Sequence, residues 1–158
     1  MRIGVISDTH GDLATIRQVV KLLTDADMWL HAGDCIQDVE CLKSLVAVPV
    51  ISVRGNCDGN VAGTNIDEFV DVGTQKIWLT HGHCYGVKQG TQDLLRCGKK
   101  HEVVAVIYGH THIPDNHWCE GILIFNPGSA YGSRASYGIL DIDDKGQVMG
   151  RVMQVNSY

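Results

Sequence analysis

The chain has 158 residues, 44% of them hydrophobic and 20% charged, with a net charge of −5. That length allows one domain with a buried core and not two ordinary ones, so residues 1–158 are expected to form a single domain. The acidic balance argues against a broad basic surface for nucleic acid, and no apolar run approaches the roughly 18 residues of a membrane helix. The opening MRIGVISDTHGD has no secretory apolar region, so a cytoplasmic location is the expectation. The six cysteines (35, 41, 57, 84, 97, 119) show no CxxC pair and read as reduced thiols.

Short β-rich runs alternate with helical ones. IGVI (3–6) reads as a buried strand, followed by a helical stripe of Leu13, Ile16, Val19, Val20 and Leu23, with Asp12 as its N-cap. MWLHA (28–32) is a second strand. Val39, Leu42 and Val46 mark a second helix, which Asp38 is placed to cap. VPVISV (48–53) is a third strand. FVDV and KIWLT (69–72 and 76–80) form a hairpin around Gly73-Thr74-Gln75. Residues 87–100 suggest a weaker helix, interrupted by Gly90 and Gly98. VVAVIY (103–108) and ILIF (122–125) are strands, and residues 136–142 and 147–155 close the chain as a hairpin. The first half is therefore βαβαβ, which requires parallel strands and right-handed crossovers. The expected fold class is α+β: two packed sheets with helices on the outside.

The residues at the strand ends carry the chemistry. IGVIS runs into Asp8-Thr9-His10, WLHA into Gly33-Asp34 and VISVR into Gly55-Asn56. IWLT runs into His81-Gly82-His83, and AVIY into Gly109-His110-Thr111-His112. In open α/β sheets, ligands gather beyond the carboxyl ends of the strands. Taken singly, Asp8 and Asp34 read as helix caps, Asn56 as a turn residue and His81 as a hydrogen-bonded histidine. Five such strand ends in one chain point instead to metal. Carboxylate and amide oxygens mixed with imidazoles suit manganese, iron, cobalt, nickel or zinc. Seven protein donors are too many for one tetrahedral ion and fit two ions sharing a carboxylate.

The motifs SDTHGD, HAGD, VRGNCD, LTHGHxYG, YGHTH and NPGS occur in order from residue 3 to about residue 129. In these the chain resembles the calcineurin-like metallophosphoesterase superfamily, and most closely its small single-domain phosphodiesterases of the YfcE type. The resemblance implies a four-layer αββα sandwich. It implies a first ion held by Asp8, His10 and His112, a second held by Asn56, His81 and His110, and Asp34 between them. Asp34, Asn56, His81 and His110 are thereby the expected catalytic residues. Manganese is the expected metal, with nickel, iron, cobalt or zinc as alternatives. The implied nucleophile is a water or hydroxide between the ions, and the implied substrate a phosphodiester. Two divalent ions, two aspartates and a hydroxide leave a net charge of about +1, which draws in a singly charged diester.

Other residues have weaker claims. His83 is a candidate to orient His81 or a substrate oxygen. Asp58 is placed either to orient the ligand shell or to cap a turn. The NPGS loop (126–129) is expected to close one side of the site. Arg134 is a candidate for bidentate contact with phosphate, although the family often carries Pro-Arg after NPGS and this chain reads GSRAS. Cys35 and Cys84 read as packing residues. Cys57 stands where monoesterases of the superfamily typically carry a leaving-group histidine, which favours a diesterase over a phosphomonoesterase. A rival reading is a protein-binding scaffold, since a eukaryotic retromer subunit resembles the same fold, but a scaffold is free to lose ligands and this chain keeps all seven. Self-association is compatible with the sequence.

Overall fold

The computed structural model describes residues 1–155. In chain order the elements are β1 (Arg2–Ile6), α1 (Leu13–Leu22), β2 (Met28–His31), α2 (Val39–Leu45), β3 (Val50–Ser52), β4 (Asp67–Val72), β5 (Gln75–Thr80), α3 (Gln92–Lys100), β6 (Ala105–Ile107), β7 (Asp115–Cys119), β8 (Ile122–Asn126), β9 (Ser136–Ile142) and β10 (Val148–Gln154). One-turn 3₁₀ segments cover 36–38, 83–85 and 132–134.

Two five-stranded mixed sheets result, ordered β10-β9-β1-β2-β3 and β4-β5-β6-β8-β7. β1, β2 and β3 run parallel, as the βαβαβ pattern requires. In the second sheet β5, β6 and β8 are parallel, with β4 and β7 antiparallel at the edges.

Alternation along each strand sorts the side chains into layers. Ile3, Val5 and Leu30 of the first sheet meet Ile77, Leu79, Ile107 and Phe125 of the second in a central core. On the outer face of the first sheet, Ile6 and Trp29 pack under Ile16, Val19 and Leu42 of the helices. On the outer face of the second, Trp78 and Val106 pack under Leu94 of α3. The order helix, sheet, sheet, helix is the expected sandwich. Strands buried on both faces read as continuous apolar runs, which is why VVAVIY and ILIF carry no alternation in sequence.

Several boundaries differ from the sequence reading. The helix expected over 87–100 starts at Gln92, because residues 82–90 turn tightly through three glycines at positive φ. β7 is an element the sequence does not predict; its residues, Asp-Asn-His-Trp-Cys, are polar because it is an edge strand with little to bury. Asp12 caps α1, accepting from the Thr15 amide at 3.0 Å. Asp38 does not cap α2, since its carboxylate is engaged by Thr9 and Gly11 instead.

Candidate metal centre

The carboxyl ends of the parallel strands in both sheets open onto one rim, where the loops are tied together. The Asp8 amide donates to the Gly33 carbonyl at 2.9 Å, and the Gly109 amide to the His81 carbonyl at 3.2 Å. The His110 amide donates to Asp8 Oδ2 at 3.1 Å. Five of the expected ligands, Asp8, His10, Asp34, His110 and His112, have left-handed backbone with φ between 45° and 68°. Each such residue costs on the order of 1–3 kcal/mol, so five together need surroundings that hold them there. Glycines beside them permit the approach: a Cβ on Gly55 or on Gly109 would collide with the Asp34 or the Asp8 carboxylate, respectively.

One donor set comprises Asp8, His10, Asp34 and His112, each offering an atom within 4.8 Å of all the others. His10 Nε2 and His112 Nε2 face each other at 3.1 Å. Asp8 Oδ1 is buried and accepts no hydrogen bond, although His112 Nε2 lies 3.1 Å away. Buried polar atoms are normally paired, so this one is a candidate ligand position. Burial pushes the Asp8 carboxyl up to about 7, with the Asp34 charge acting the same way against a 2.5 Å hydrogen bond from Ser7. A cation at Oδ1 reverses that balance.

The second set centres on His81. Its Nδ1 donates to the Ala32 carbonyl at 2.7 Å, which leaves the Nε2 lone pair facing inward. Burial holds its pKa at about 4, so the ring is neutral. Nε2 lies 3.2 Å from Asn56 Oδ1 and 3.4 Å from Asp34 Oδ1. Three acceptors converge there with no proton between them, an arrangement that a cation satisfies and a hydrogen bond does not. The His110 ring is 5.1 Å from that of His81. Burial, then the Lys88 ammonium, lowers the His110 pKa. Asp34 lies between the sets, with Oδ2 4.0 Å from His10 Nε2. Burial pushes its carboxyl up, but the Cys57 amide, donating at 3.0 Å, and His81 outweigh this and hold it below the usual range.

The residues behind the ligands include some that the sequence did not disclose. His31 is fully buried at the end of β2. Its Nδ1 accepts from the Gly33 amide at 3.2 Å, so Nε2–H donates to Thr9 Oγ1 at 3.2 Å. Thr9 Oγ1 donates to Asp38 Oδ2 at 2.7 Å, and the Gly11 amide donates to the same oxygen at 2.7 Å. This relay joins the Asp8–His10 loop to the Asp34 loop. The only signal in sequence was a histidine ending an apolar strand just before Gly33-Asp34. Asp58 does both of the tasks weighed for it: it accepts from the Ile36 amide at 2.8 Å and the Gly55 amide at 2.6 Å, bridging two ligand loops while closing its own turn. Asn126 donates to the Gly109 carbonyl at 3.0 Å, and Ser129 to the Asp8 carbonyl at 2.8 Å, so the NPGS loop braces the ligand loops from behind.

The remaining candidates divide. His83 sits at the edge of the second set, its ring 5.4 Å from His81 and its buried Nδ1 without a partner. Cys57 is exposed beside Asp34, whose hydrogen bond pushes the thiol up to about 11. Arg134 is exposed in the 132–134 turn, and among the described residues no hydrogen bond or ion pair joins it to either donor set. Tyr131, unremarkable in sequence, stands edge-on to His10 with ring centres 5.9 Å apart.

The chain is similar to known proteins in sequence and fold. The Calcineurin-like phosphoesterase superfamily domain matches residues 1–145. Phosphodiesterase YfcE of Escherichia coli (strain K12) is 32% identical over 171 residues, covering 90% of this chain and 89% of its own. A solved archaeal phosphodiesterase superposes with a TM-score of 0.76 at 26% identity, covering 97% of this chain and 100% of its own. Zinc-complexed Vps29 from Entamoeba histolytica superposes with a TM-score of 0.75 at 25% identity, covering 99% of this chain and 100% of its own. The chain belongs to the calcineurin-like phosphoesterase superfamily.

Proposed function

We propose that this protein is a phosphodiesterase working with two divalent ions, manganese being the expected one. The observation that carries the reading is the convergence of acceptors: His81 Nε2, Asn56 Oδ1 and Asp34 Oδ1 within 3.4 Å of the imidazole nitrogen, beside an unpaired Asp8 Oδ1. Asp8, His10, Asp34 and His112 would hold one ion, and Asp34, Asn56, His81 and His110 the other. Bound there, divalent ions supply Lewis acidity, making water acidic enough to attack near neutral pH and neutralising the phosphoryl oxygens.

The chain's own residues do the positioning. Asp34 fixes the spacing of the two donor sets. The Ala32 carbonyl selects the His81 tautomer that leaves Nε2 free to ligate. Phosphoryl transfer depends mostly on such alignment and on charge. Diester rather than monoester is favoured by Cys57: a thiol donates hydrogen bonds weakly and carries no positive charge to meet a dianion. Cys57→His should raise turnover of esters with poor leaving groups at least tenfold relative to an activated diester, for which ~1.4 kcal/mol suffices. A dead Cys57→Ala with unchanged metal content would make the thiol itself catalytic and contradict this account.

The functional test is chelation. Exhaustive EDTA treatment should abolish hydrolysis of bis(p-nitrophenyl) phosphate, and manganese, nickel or cobalt should restore it. Full activity after chelation rules out the two-ion reading. A metal-loaded protein that turns over no ester would favour the scaffold role.

A further inference from the structure

The turn after β3 (54–60) and the turn after β5 (82–85) border a common cleft of about 400 Å³. Arg54, Asn56, Asn60, Ile66, His83 and Cys84 are among the residues that line it. Asn56 belongs to the second donor set, its Oδ1 3.2 Å from His81 Nε2. The cleft therefore begins at the proposed site of the second ion. His83 lines it from the other turn, its ring 5.4 Å from that of His81.

The charge on the walls of this cleft has one sign. Arg54 is half-buried and forms no ion pair among the described residues. Its Nη1 donates to Asn60 Oδ1 at 2.6 Å and to the Gly59 carbonyl at 3.3 Å, both neutral acceptors. Its Nε and Nη2 donate to nothing among the described residues. Among those residues no carboxylate lines the cleft. The carboxylates of the adjoining loops are engaged by backbone amides: Asp34 accepts from Cys57 at 3.0 Å, and Asp58 from Ile36 at 2.8 Å and Gly55 at 2.6 Å. A guanidinium pinned at one corner holds its remaining edge, a planar pair of donors, in a set direction. Such a fork matches the two oxygens of a carboxylate or a phosphate.

We infer that this cleft is an anion subsite, that it takes a diester arm bearing a carboxylate or a second phosphate, and that Arg54 is the specificity-determining residue that meets that oxyanion. The inference rests on the phosphodiesterase reading. Alkyl p-nitrophenyl phosphates isolate the arm. The p-nitrophenolate released stays the same while the arm is propyl, 3-carboxypropyl, 3-phosphonooxypropyl or 3-(trimethylammonio)propyl. With manganese-loaded enzyme, kcat/KM should favour an anionic arm over propyl by about tenfold, the scale of one charge-assisted hydrogen bond. The better of the two anionic arms identifies the oxyanion, and the ammonium arm should be the poorest of the four. A cationic metal centre attracts added negative charge from any direction, so the variants decide. With metal content checked on the same samples, Arg54→Gln should level the series and Arg54→Glu should invert it. Lys88→Gln changes an exposed charge outside this cleft and should leave the order as in wild type. An order that survives Arg54→Glu, or that Lys88→Gln levels equally, overturns the inference while leaving the diesterase reading standing.

A second readout needs neither turnover nor a variant. Titration of 4-phosphonobutanoate or propane-1,3-bisphosphonate into zinc-loaded protein should shift the Arg54 Nε–H resonance, and butylphosphonate should not. If no ester is hydrolysed, the diesterase reading fails and this titration still decides the cleft. An Arg54 resonance that neither dianionic ligand moves, or that butylphosphonate moves as far, overturns the inference.

Discussion

The two donor sets sit side by side and are built differently. Asp8, His10, Asp34 and His112 all stand on left-handed backbone, with donor atoms already within 4.8 Å of one another. In the second set Asp34 and His110 share that left-handed backbone, but His81 and Asn56 stand on ordinary backbone, and Asn56 is an exposed side chain on a turn. The first set is therefore fixed by how the chain folds. The second depends on a side-chain amide that water can also solvate. On the proposed two-ion reading, the difference predicts an order of loading: the preformed first set should fill before the second.

The largest expected effect comes from the residue common to both sets. Asp34→Ala should remove both ions and lower diester turnover by about 10³-fold or more, while the melting curve of the metal-free protein remains cooperative. Retention of two ions per chain would mean that Asp34 does not bridge. Asn56→Ala sharpens the comparison further. It should leave one tightly bound ion and reduce turnover by about 10²–10³-fold, read by metal analysis and kinetics on the same sample. Wild-type turnover in that variant would return Asn56 to the role of a turn residue.

These two residues also mark what could be read from sequence. Every expected ligand lies at the rim, because a polar residue at a strand end is a local pattern: an apolar run, then Asp, Asn or His, directly after a glycine at Asp34, Asn56 and His110. The layered fold was legible in another local pattern, short apolar runs alternating with helical stripes. What stayed hidden is non-local. His31 acts through Thr9 on Asp38, residues 22 and 29 positions from Thr9, and nothing in WLHAGD says that its histidine faces the first loop. Asp38 read as a helix cap because caps and relay acceptors use the same residue type. β7 escaped notice because an edge strand has no apolar pattern to display.

The relay offers a milder way to perturb the first set. Thr9→Val keeps the shape and removes the hydroxyl, and should weaken cobalt binding by about 10-fold, within the range for partners that orient ligands. Thr9→Ser should restore it. A Thr9→Val protein with wild-type cobalt affinity and visible spectrum, changed only in melting temperature, would reduce the relay to a packing role.

The smallest effect at neutral pH is one of stability. Burial holds His31 neutral, with its pKa pushed down to about 4. An unfolded histidine titrates near 6.5. Between those values the unfolded chain binds a proton that the folded chain does not, so His31 costs stability as pH falls through that window. In urea unfolding of the metal-free protein, His31→Gln should flatten the loss of stability between about pH 6.5 and 4 relative to wild type. Parallel pH profiles would contradict the burial argument.

The central claim is that two ions share Asp34, and anomalous diffraction from manganese-loaded crystals tests it most directly. The account predicts two peaks per chain, about 3.5–4 Å apart. Asp8, His10, Asp34 and His112 should surround one, and Asp34, Asn56, His81 and His110 the other. A single peak at saturating manganese, or a pair of which only one touches Asp34, would contradict it.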